Sequence, residues 1–578
     1  MRTTTGVLKG LNPTVTIVSK LLLFVFIAFC IFKEKQAGEY FQLISQALLQ
    51  NAKWYLLLLA TFLVGFIIYL CMSRYGHIRL GKDNEKPEYS NLAWICMLFS
   101  CGMGIGLMFW SVAEPIDHYT SNPFTQGLSD ESARMAMQLT FFHWGLHPWG
   151  LFCLVAVALG YFAYRKDLPF AMRSIFYPLI GNKIYGPIGN IVDIITVAIT
   201  AFGISQSLSM GILELNTGLN HTFGIAIDVK IQLIMVVILC ALATISLLSA
   251  ISKGFKIIAE GNMIISYVLV FIVIFIGSTH YILNTFFEGV GDYLQNIVGM
   301  SLWSDAQKDS GWQNWWTAYY WPWWMTWAPF VGLFIARISR GRTIREVILG
   351  SLAAPTLLTF LWIAAFGGAA LNIEKQNHQP VAHEVVVGSA TQAATPAIDK
   401  AAPQEMTISE ATKKDPSRAV FVFFDHLTPN HNTQIFLSGL LCLLLAIHVI
   451  TLVNSGTLVL CFLDSNGATN PSVSIRLIWS VIIPLIGGGL LLTGGLSAIQ
   501  TACVIAGFPI SILLGVICIS LIKSLRQDPQ AWVMMPEHIH PEQIKAQNTI
   551  ASKSQSVKEE PAQSDTAIED RNIDLVID

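Results

Sequence analysis

The chain has 578 residues, of which 53% are hydrophobic and only 12% are charged, and its mean hydropathy is +0.56. A soluble domain normally carries about a quarter charged residues, so this composition excludes a soluble globular protein and indicates an integral membrane protein. The formal net charge is −2 and no basic block occurs, which argues against a nucleic-acid partner.

Twelve apolar segments are long enough to cross a bilayer, since a spanning helix needs about 20 apolar residues. In chain order the predicted spans are 14–32, 54–72, 91–113, 137–162, 188–212, 231–251, 262–283, 315–336, 351–371, 433–463, 473–493 and 498–522. The expected regions are a short tail at 1–13, a membrane domain at 14–522, an outer loop insertion at 374–431 and an acidic, largely disordered tail at 523–578.

Lysine and arginine are concentrated in alternate loops, and this bias sets the orientation of the spans. With the N-terminus inside, the inner loops carry most of the basic residues, as at 74–86, 165–183 and 337–345. The short outer loops carry few. Both termini are therefore expected in the cytoplasm, and the segment 374–431 is expected outside as a solvated loop.

The third span contains glycines at alternate positions, Gly102, Gly104 and Gly106. Such glycines weaken a helix at mid-membrane and let carbonyl groups turn away from the helix. Tight crossing of two helices is the alternative explanation. Glu114-Pro115, which follows this span, is interpreted as a helix stop and structural anchor, or else as part of an outer gate.

The fourth span contains Phe142-His143-Trp144-Gly145-Leu146-His147-Pro148-Trp149, which places two indoles and two histidines inside the bilayer. His143 and His147 are one helical turn apart, a spacing that can hold a metal. No metal site is expected, because other membrane histidines such as His118 stand alone and the ten cysteines show no CxxC or similar spacing.

The start of the eighth span, residues 314–327, holds six of the sixteen tryptophans. An interfacial aromatic belt explains only the first of them, because positions 315–327 extend roughly 18 Å as a helix, more than the interfacial layer. Five aromatic side chains share one helical face, namely Trp316, Tyr320, Trp323, Trp324 and Trp327. Such a stripe can pack against neighbouring helices, but indole faces also attract a cation, above all a quaternary ammonium.

Together these motifs resemble the betaine/carnitine/choline transporter (BCCT) family. The resemblance rests on three stretches: Gly102 to Leu107 with Ala113-Glu114-Pro115; Phe142 to Trp149; and Trp316 to Trp327 followed by Ala336 to Thr343. It covers about residues 10–525. It implies an all-α membrane fold of twelve helices, with helices 3–7 (about 91–283) and 8–12 (about 315–522) as inverted repeats of the LeuT type. It also implies a homotrimer in a bacterial-type inner (plasma) membrane, with no enzymatic activity and no cofactor.

The resemblance further implies which side chains bind a trimethylammonium solute. The implied substrate residues are Trp144, Trp149, Phe152, Trp324, Met103, Gly104 and Gly106. The implied residues of the pathway and its gates are Trp316, Tyr320, Trp321, Trp323 and Trp327. Glycine stands at position 106, where members that take choline often have aspartate. A zwitterion is therefore favoured, with glycine betaine expected ahead of carnitine, a sulfonium analogue or choline.

The coupling ion is predicted from spans 5 and 10. Sodium-driven members resemble one another in a span-10 stretch that reads Thr451-Leu452-Val453-Asn454-Ser455-Gly456 here, and Leu452 removes one ligating hydroxyl. In span 5, Ile204 replaces another usual hydroxyl. We expect that H+ drives transport in place of Na+ and that His448 carries the proton. The alternatives are that a fixed polar group such as Gln206 replaces the ion, or that His448 only hydrogen-bonds a carbonyl. The candidate residues are His448, Thr451, Asn454, Ser455, Thr200, Ser205, Gln206 and Phe330.

Two further expectations concern the membrane surface. The segment 284–300 is predicted to be an amphipathic helix along the membrane at the trimer contact, and the arginines at 337–345 are expected to set topology, with inner-gate contacts and anionic lipid as further roles. No GxxxxGK[ST] motif occurs, so ATP-driven transport by this chain is not expected. An ion-independent exchanger and a non-transporting receptor remain the rival functions.

Overall fold

The computed structural model describes residues 11–102, 104–248, 252–378, 406–465, 467 and 471–533. These residues fold into helices joined by turns and loops. The helices are α1 (Pro13–Phe32), α2 (Glu34–Met72), α3 (Asn91–Gly102), α4 (Ile105–Thr120), α5 (Asp130–Trp144), α6 (Leu146–Gly160), α7 (Tyr177–Ile180), α8 (Pro187–Phe223), α9 (Val229–Leu248), α10 (Ser252–Ile276), α11 (Thr279–Leu302), α12 (Trp312–Trp315), α13 (Thr317–Ile338), α14 (Ile344–Ile363), α15 (Ala369–His378), α16 (Ile408–Lys414), α17 (Ala419–Leu427), α18 (His431–Asp464), α19 (Val473–Arg526) and α20 (Gln530–Val533). The predicted tail at 1–13 lies mostly outside the described residues, as do Met103 and the tail beyond Val533.

Eight helices among the described residues are long and apolar enough to cross a membrane, and the bent pair α10–α11 gives a ninth if it forms one span. This confirms an all-helical integral membrane protein, whereas the number twelve stays a prediction. Two of the predicted spans, 473–493 and 498–522, both lie in α19, whose 54 residues would extend about 80 Å if straight. Non-helical backbone at Gly494 and Gly495 divides α19 between them.

The third predicted span is interrupted at its glycines. The helix α3 ends at Gly102, and Gly104 caps the start of α4 with extended backbone angles. The interpretation of Glu114-Pro115 as a helix stop is wrong, because α4 continues through both residues to Thr120. Pro115 has no N–H for the carbonyl of Ser111, and Gly367 packs against this point, where a Cβ would lie 2.6 Å from both the Ser111 oxygen and the proline ring.

The predicted outer insertion at 374–431 is not simply a solvated loop. Residues 379–405 lie outside the described residues, but α16 and α17 are packed helices in which Ile408, Phe421 and Phe423 are fully buried. The backbone N–H of Ile408 donates to Glu374, also fully buried. The apolar run that begins at Ala419 explains why this part of the segment is packed and not solvated, since burial of its aromatic side chains is more favourable than their exposure to water.

The bend between α10 and α11 is 112°. The helix α11 therefore does not continue in the direction of α10. Its large side chains Phe287, Leu294 and Val298 are exposed in the single chain, as expected of an amphipathic surface helix. The role of α11 in a trimer contact stays a prediction.

The arginines after α13 bind the loop between α2 and α3. The Nε atom of Arg340 lies 2.5 Å from Oε1 of Glu85, and the guanidinium of Arg342 lies 4.1 Å from the ring centroid of Trp94. The backbone N–H of Lys82 and then the Arg340 side chain hold the pKa of Glu85 below its usual value. This ion pair therefore persists until the pH falls through that lowered pKa, and the arginines fix the end of α13 in addition to any role in topology.

Candidate functional site

A small cavity of ≈ 60 Å³ lies where α4, α6 and α13 meet. One water molecule needs about 10–15 Å³ of such space, so the cavity has room for on the order of five water molecules, comparable to a small organic solute. Its lining residues are Gly104, Ile105, Gly106, Leu107, Trp144, Pro148, Trp149, Phe152, Ser207, Trp323, Trp324, Trp327, Val331 and Thr359. None of these described lining residues is charged.

Three indoles form a corner of this cavity. The rings of Trp323 and Trp324 stack with centroids 4.6 Å apart and planes 13° from parallel. Trp144 stands across both, with its centroid 5.0 Å from Trp324 at 70° and 5.9 Å from Trp323 at 81°. Phe152 continues the wall, at 6.3 Å from Trp324 and 5.5 Å from Trp149. Roughly perpendicular aromatic faces around one space are the arrangement that holds an organic cation.

Two glycines make this corner possible. The turn between α5 and α6 is at Gly145, where a Cβ would lie 2.7 Å from the carbonyl oxygen of Phe141, and this turn separates Trp144 from the helix that carries Trp149. At Gly106 a Cβ would lie 2.6 Å from Cη2 of Trp323 and 3.3 Å from Cη2 of Trp144. The missing side chain at position 106 therefore lets both rings approach the backbone of α4.

Hydrogen bonds from the indole nitrogens hold the rings in place. Nε1 of Trp324 donates to the carbonyl oxygen of His143 at 3.0 Å, and Nε1 of Trp327 donates to that of Gly203 at 3.2 Å. Nε1 of Trp144 donates to Oε2 of Glu114 at 2.9 Å. Since these N–H groups are satisfied by the protein, the faces of the rings are what remains for a ligand.

A buried network lies directly behind this corner. Oε1 of Glu114 is 2.6 Å from Nδ1 of His143 and 3.4 Å from Nε2 of His118. Oε2 accepts hydrogen bonds from Trp144 and from the hydroxyl of Tyr320. Glu114 and both histidines are fully buried. From the sequence, Glu114 is interpreted as an anchor or gate and His118 as isolated. An ionisable residue directly after an interrupted span is the signal that could have indicated this network.

Comparison with known proteins decides the family. The family model described as "BCCT, betaine/carnitine/choline family transporter" matches residues 14–405 and 385–530. The chain belongs to the BCCT family. It is therefore a transporter and not an enzyme.

Named relatives cover most of this BCCT transporter. It is 38% identical to the glycine betaine transporter OpuD of Bacillus subtilis (strain 168), over 82% of this chain and 87% of that protein. It is 36% identical to the glycine betaine transporter of Acinetobacter baylyi, over 90% of this chain and 74% of that protein. The osmo-independent choline transporter BetT1 of the same organism is also 36% identical, over 84% and 88% of the two chains.

In this BCCT transporter the two histidines of the fourth span point to different partners. Nε2 of His143 is 3.0 Å from the hydroxyl of Thr317, whereas Nε2 of His147 is 3.2 Å from the hydroxyl of Ser301. The pair at one-turn spacing therefore does not share a site. Atoms of Glu114, His118 and His143 that could hold a metal lie within 4.8 Å of one another, but the hydrogen bonds of Glu114 to His143, Trp144 and Tyr320 account for the position of its carboxylate.

The predicted gate residues of the BCCT transporter divide into three groups. Trp323 and Trp327 line the central cavity. Trp316 lines a separate space of ≈ 300 Å³ toward the C-terminal end of α4, and Tyr320 stacks on His143 at 4.7 Å. Trp321 does not face the central cavity: it is fully buried and stacks on His147 with centroids 4.6 Å apart. The structure therefore does not support a place for Trp321 in the pathway. The α5–α6 segment gives its ring a stacking partner, His147, on a side of α13 that does not face the cavity.

The predicted coupling residues on α18 do not converge. His448 faces α10, with Nδ1 2.9 Å from the Leu444 carbonyl oxygen and 2.9 Å from the Asn262 amide nitrogen. Thr451 donates to the carbonyl of Ile447, one turn away, and Ser455 is exposed at the surface of the single chain. Asn454 is buried, and neither end of its amide has a hydrogen-bond partner among the described residues.

The candidates from span 5 and α13 are also dispersed. The hydroxyl of Ser205 is satisfied by the carbonyls of Ala201 and Ile483, so it faces α19. Nε2 of Gln206 lies 3.4 Å from the hydroxyl of Tyr319. Thr200 is buried with no partner for its hydroxyl among the described residues, and Phe330 packs on Trp327 at 5.5 Å. No hydrogen bond between side chains of the described residues joins these candidates to one another, and their role in ion coupling stays a prediction.

Proposed function

We propose that this transporter imports a trimethylammonium solute, glycine betaine in first place, by alternating access through the aromatic cavity. The corner of Trp144, Trp323 and Trp324 is the observation that carries the proposal. A desolvated cation–π contact contributes about 2 kcal/mol, so three contacts supply much of the about 8 kcal/mol that micromolar affinity requires. The named relatives, which are betaine and choline transporters, agree with this solute class.

A zwitterion suits the polar groups of the cavity. Gly106 places no carboxylate among the lining residues, so a substrate that carries its own carboxylate needs no acidic partner there. Two lining residues, Ser207 and Trp323, have a buried hydroxyl and a buried indole N–H without hydrogen-bond partners among the described residues. Both groups can donate to a substrate carboxylate. Choline and carnitine are the alternative substrates.

Competition for uptake tests the substrate. Cells or proteoliposomes that contain the full chain are expected to accumulate radiolabelled glycine betaine, and unlabelled betaine is expected to inhibit at lower concentration than choline or carnitine. Choline that competes severalfold better than betaine would contradict the ranking. Binding without accumulation in sealed vesicles would instead favour a receptor.

The architecture that supports this function is also part of the proposal. The interrupted segment α3–α4 and the aromatic helix α13 meet at the cavity, as the first helices of two inverted repeats do in such transporters. We place these repeats at about 91–283 and 315–522, with both termini in the cytoplasm of a bacterial plasma membrane. A homotrimer in contact with membrane lipid completes the proposal.

We propose that a proton, and not sodium, drives uptake. The hydrophobic residues Leu452 and Ile204 offer no ligand for a hard cation, and His448, one helical turn before Leu452 on α18, is a buried titratable side chain. Uptake is expected to persist in sodium-free buffer and to increase when the outside is made more acidic than the inside, and His448→Gln is expected to flatten this response. Strict sodium dependence with a flat pH profile would contradict proton coupling, and uptake that requires preloaded substrate would indicate exchange.

A further inference from the structure

We propose that Glu114, His118 and His143 form an anionic cluster that acts as the counter-charge for the quaternary ammonium group shared by betaine and choline, so that a proton on the cluster and the bound ammonium group compete. This inference rests on the proposed function and concerns the same cavity. It makes Glu114 a positioning residue that determines specificity through the ring of Trp144, without touching the solute itself.

The contacts of Glu114 fit an ionised carboxylate. Its two oxygens face three groups that can donate, namely the indole N–H of Trp144, the hydroxyl of Tyr320 and a ring nitrogen of His143. An ionised carboxylate only accepts hydrogen bonds, and such charge-assisted bonds are about twice as strong as neutral ones. With both histidines neutral, the cluster therefore carries a net charge of −1 in a fully buried place.

The negative charge lies immediately behind a wall of the cavity. Trp144 lines the cavity with its ring and binds Oε2 of Glu114 with its nitrogen. A unit charge roughly 8 Å from the ammonium, at an effective dielectric constant of about 20, changes affinity by about 30-fold. A neutral molecule of the same shape gains nothing from this charge, so the cluster selects for positive charge and not for size.

The cluster can take up a proton without losing a hydrogen bond. Nε2 of His143 is 3.0 Å from the hydroxyl of Thr317, and a hydroxyl can donate to a neutral imidazole or accept from a protonated one. Both ring nitrogens of His118 lack a hydrogen-bond partner among the described residues, and Nε2 lies 3.4 Å from Glu114. One proton taken up by the cluster as a whole changes its net charge from −1 to zero and removes the attraction.

The other titratable groups around the cluster do not supply this negative charge behind the cavity wall. On α4, Asp117 is directed to Trp316, and Lys413 of α16 is the cation near it. On α6, His147 is turned to Ser301. On α13, Tyr320 donates to Glu114 and Tyr319 lies beside Gln206. The ion pairs of Glu114 among the described residues involve only the two histidines.

Equilibrium binding to the purified full-length transporter tests the inference, with no pH gradient to drive transport. The probes are choline and its uncharged isostere 3,3-dimethylbutanol, each followed by tryptophan fluorescence between pH 5.5 and 8.5. The choline Kd of the wild type is expected to tighten by up to about 30-fold as the pH rises, while the Kd of the isostere stays constant. Equal pH dependence of the two ligands would overturn the inference.

Variants at position 114 sharpen the result. Glu114→Gln is expected to weaken choline about 30-fold at pH 8.5 and to remove its pH dependence, with the isostere bound as in the wild type. Glu114→Asp, which keeps the charge, is expected to retain the pH dependence. A Glu114→Gln protein with wild-type choline binding at every pH would overturn the inference. If this variant does not fold, the wild-type comparison of choline with its isostere decides alone. Failure of the wild type to bind either choline or betaine would instead refute the proposed function.

Discussion

Replacing Trp324 by leucine is expected to raise the KM for glycine betaine uptake by about 100-fold. Leucine keeps an apolar side chain in the cavity but removes a ring face that stacks at 4.6 Å on Trp323 and stands 5.0 Å from Trp144. The loss combines one desolvated cation–π contact of about 2 kcal/mol with burial of about one methyl group, at about 0.8 kcal/mol. Initial uptake rates over a range of betaine concentrations, normalised to the amount of transporter in the membrane, give the result.

Trp362→Leu is the matched control for this substitution. Trp362 is also a buried indole; it stacks on Phe366 at 4.8 Å and does not line the cavity. The control is expected to lower thermal stability while it leaves the KM within about twofold of the wild type. Equal changes in KM from both substitutions would mean that general packing, and not the ring face at 324, sets affinity.

Gly106→Ala is expected to weaken betaine binding by about 10- to 100-fold. The added methyl group would lie 2.6 Å from Cη2 of Trp323 and 3.3 Å from Cη2 of Trp144, so both cavity walls must shift. Overpacking of this kind costs about 1–3 kcal/mol, and here the displaced atoms belong to the rings that we propose contact the ligand. Isothermal titration of the purified transporter with betaine measures the effect.

Gly104→Ala is the control for the space at position 106. Gly104 also lines the cavity and lies on the same interrupted segment, but a Cβ at position 104 would meet nothing within 4 Å. Its backbone φ of −146° suits any residue. Binding within about threefold of the wild type is expected; a loss as large as that of Gly106→Ala would show that backbone freedom, and not ring approach, matters in this segment.

The sequence predicted the apolar helices and the aromatic segments because these depend on local patterns. Family motifs assign Trp144, Trp149 and Trp324 to the substrate site and Trp323 to the pathway, and the structure brings all four to one cavity. The interruption at Gly102–Gly104 follows from glycine's weak helix propensity. The break in α19 fell between two predicted spans for the same reason, at Gly494 and Gly495.

Features that depend on distant pairs were not accessible in this way. Glu114 meets His143 and Tyr320, which are 29 and 206 positions away, and no local pattern indicates that contact. Trp321 shares its helix with the cavity residues, but its direction is decided by His147 on α6. The candidates for ion coupling look adjacent in sequence, whereas Ser455 is exposed and His448 faces α10.

A graded series of fluorinated tryptophans at position 324 tests the cavity's role most directly. Each added fluorine withdraws electron density from the ring face with little change in shape, so only the attraction for a cation is altered. We expect the free energy of betaine binding, measured on purified protein, to weaken stepwise and linearly with each fluorine. Affinity that stays constant across the series, in protein that still binds betaine, would contradict the claim that ring faces hold the ammonium group.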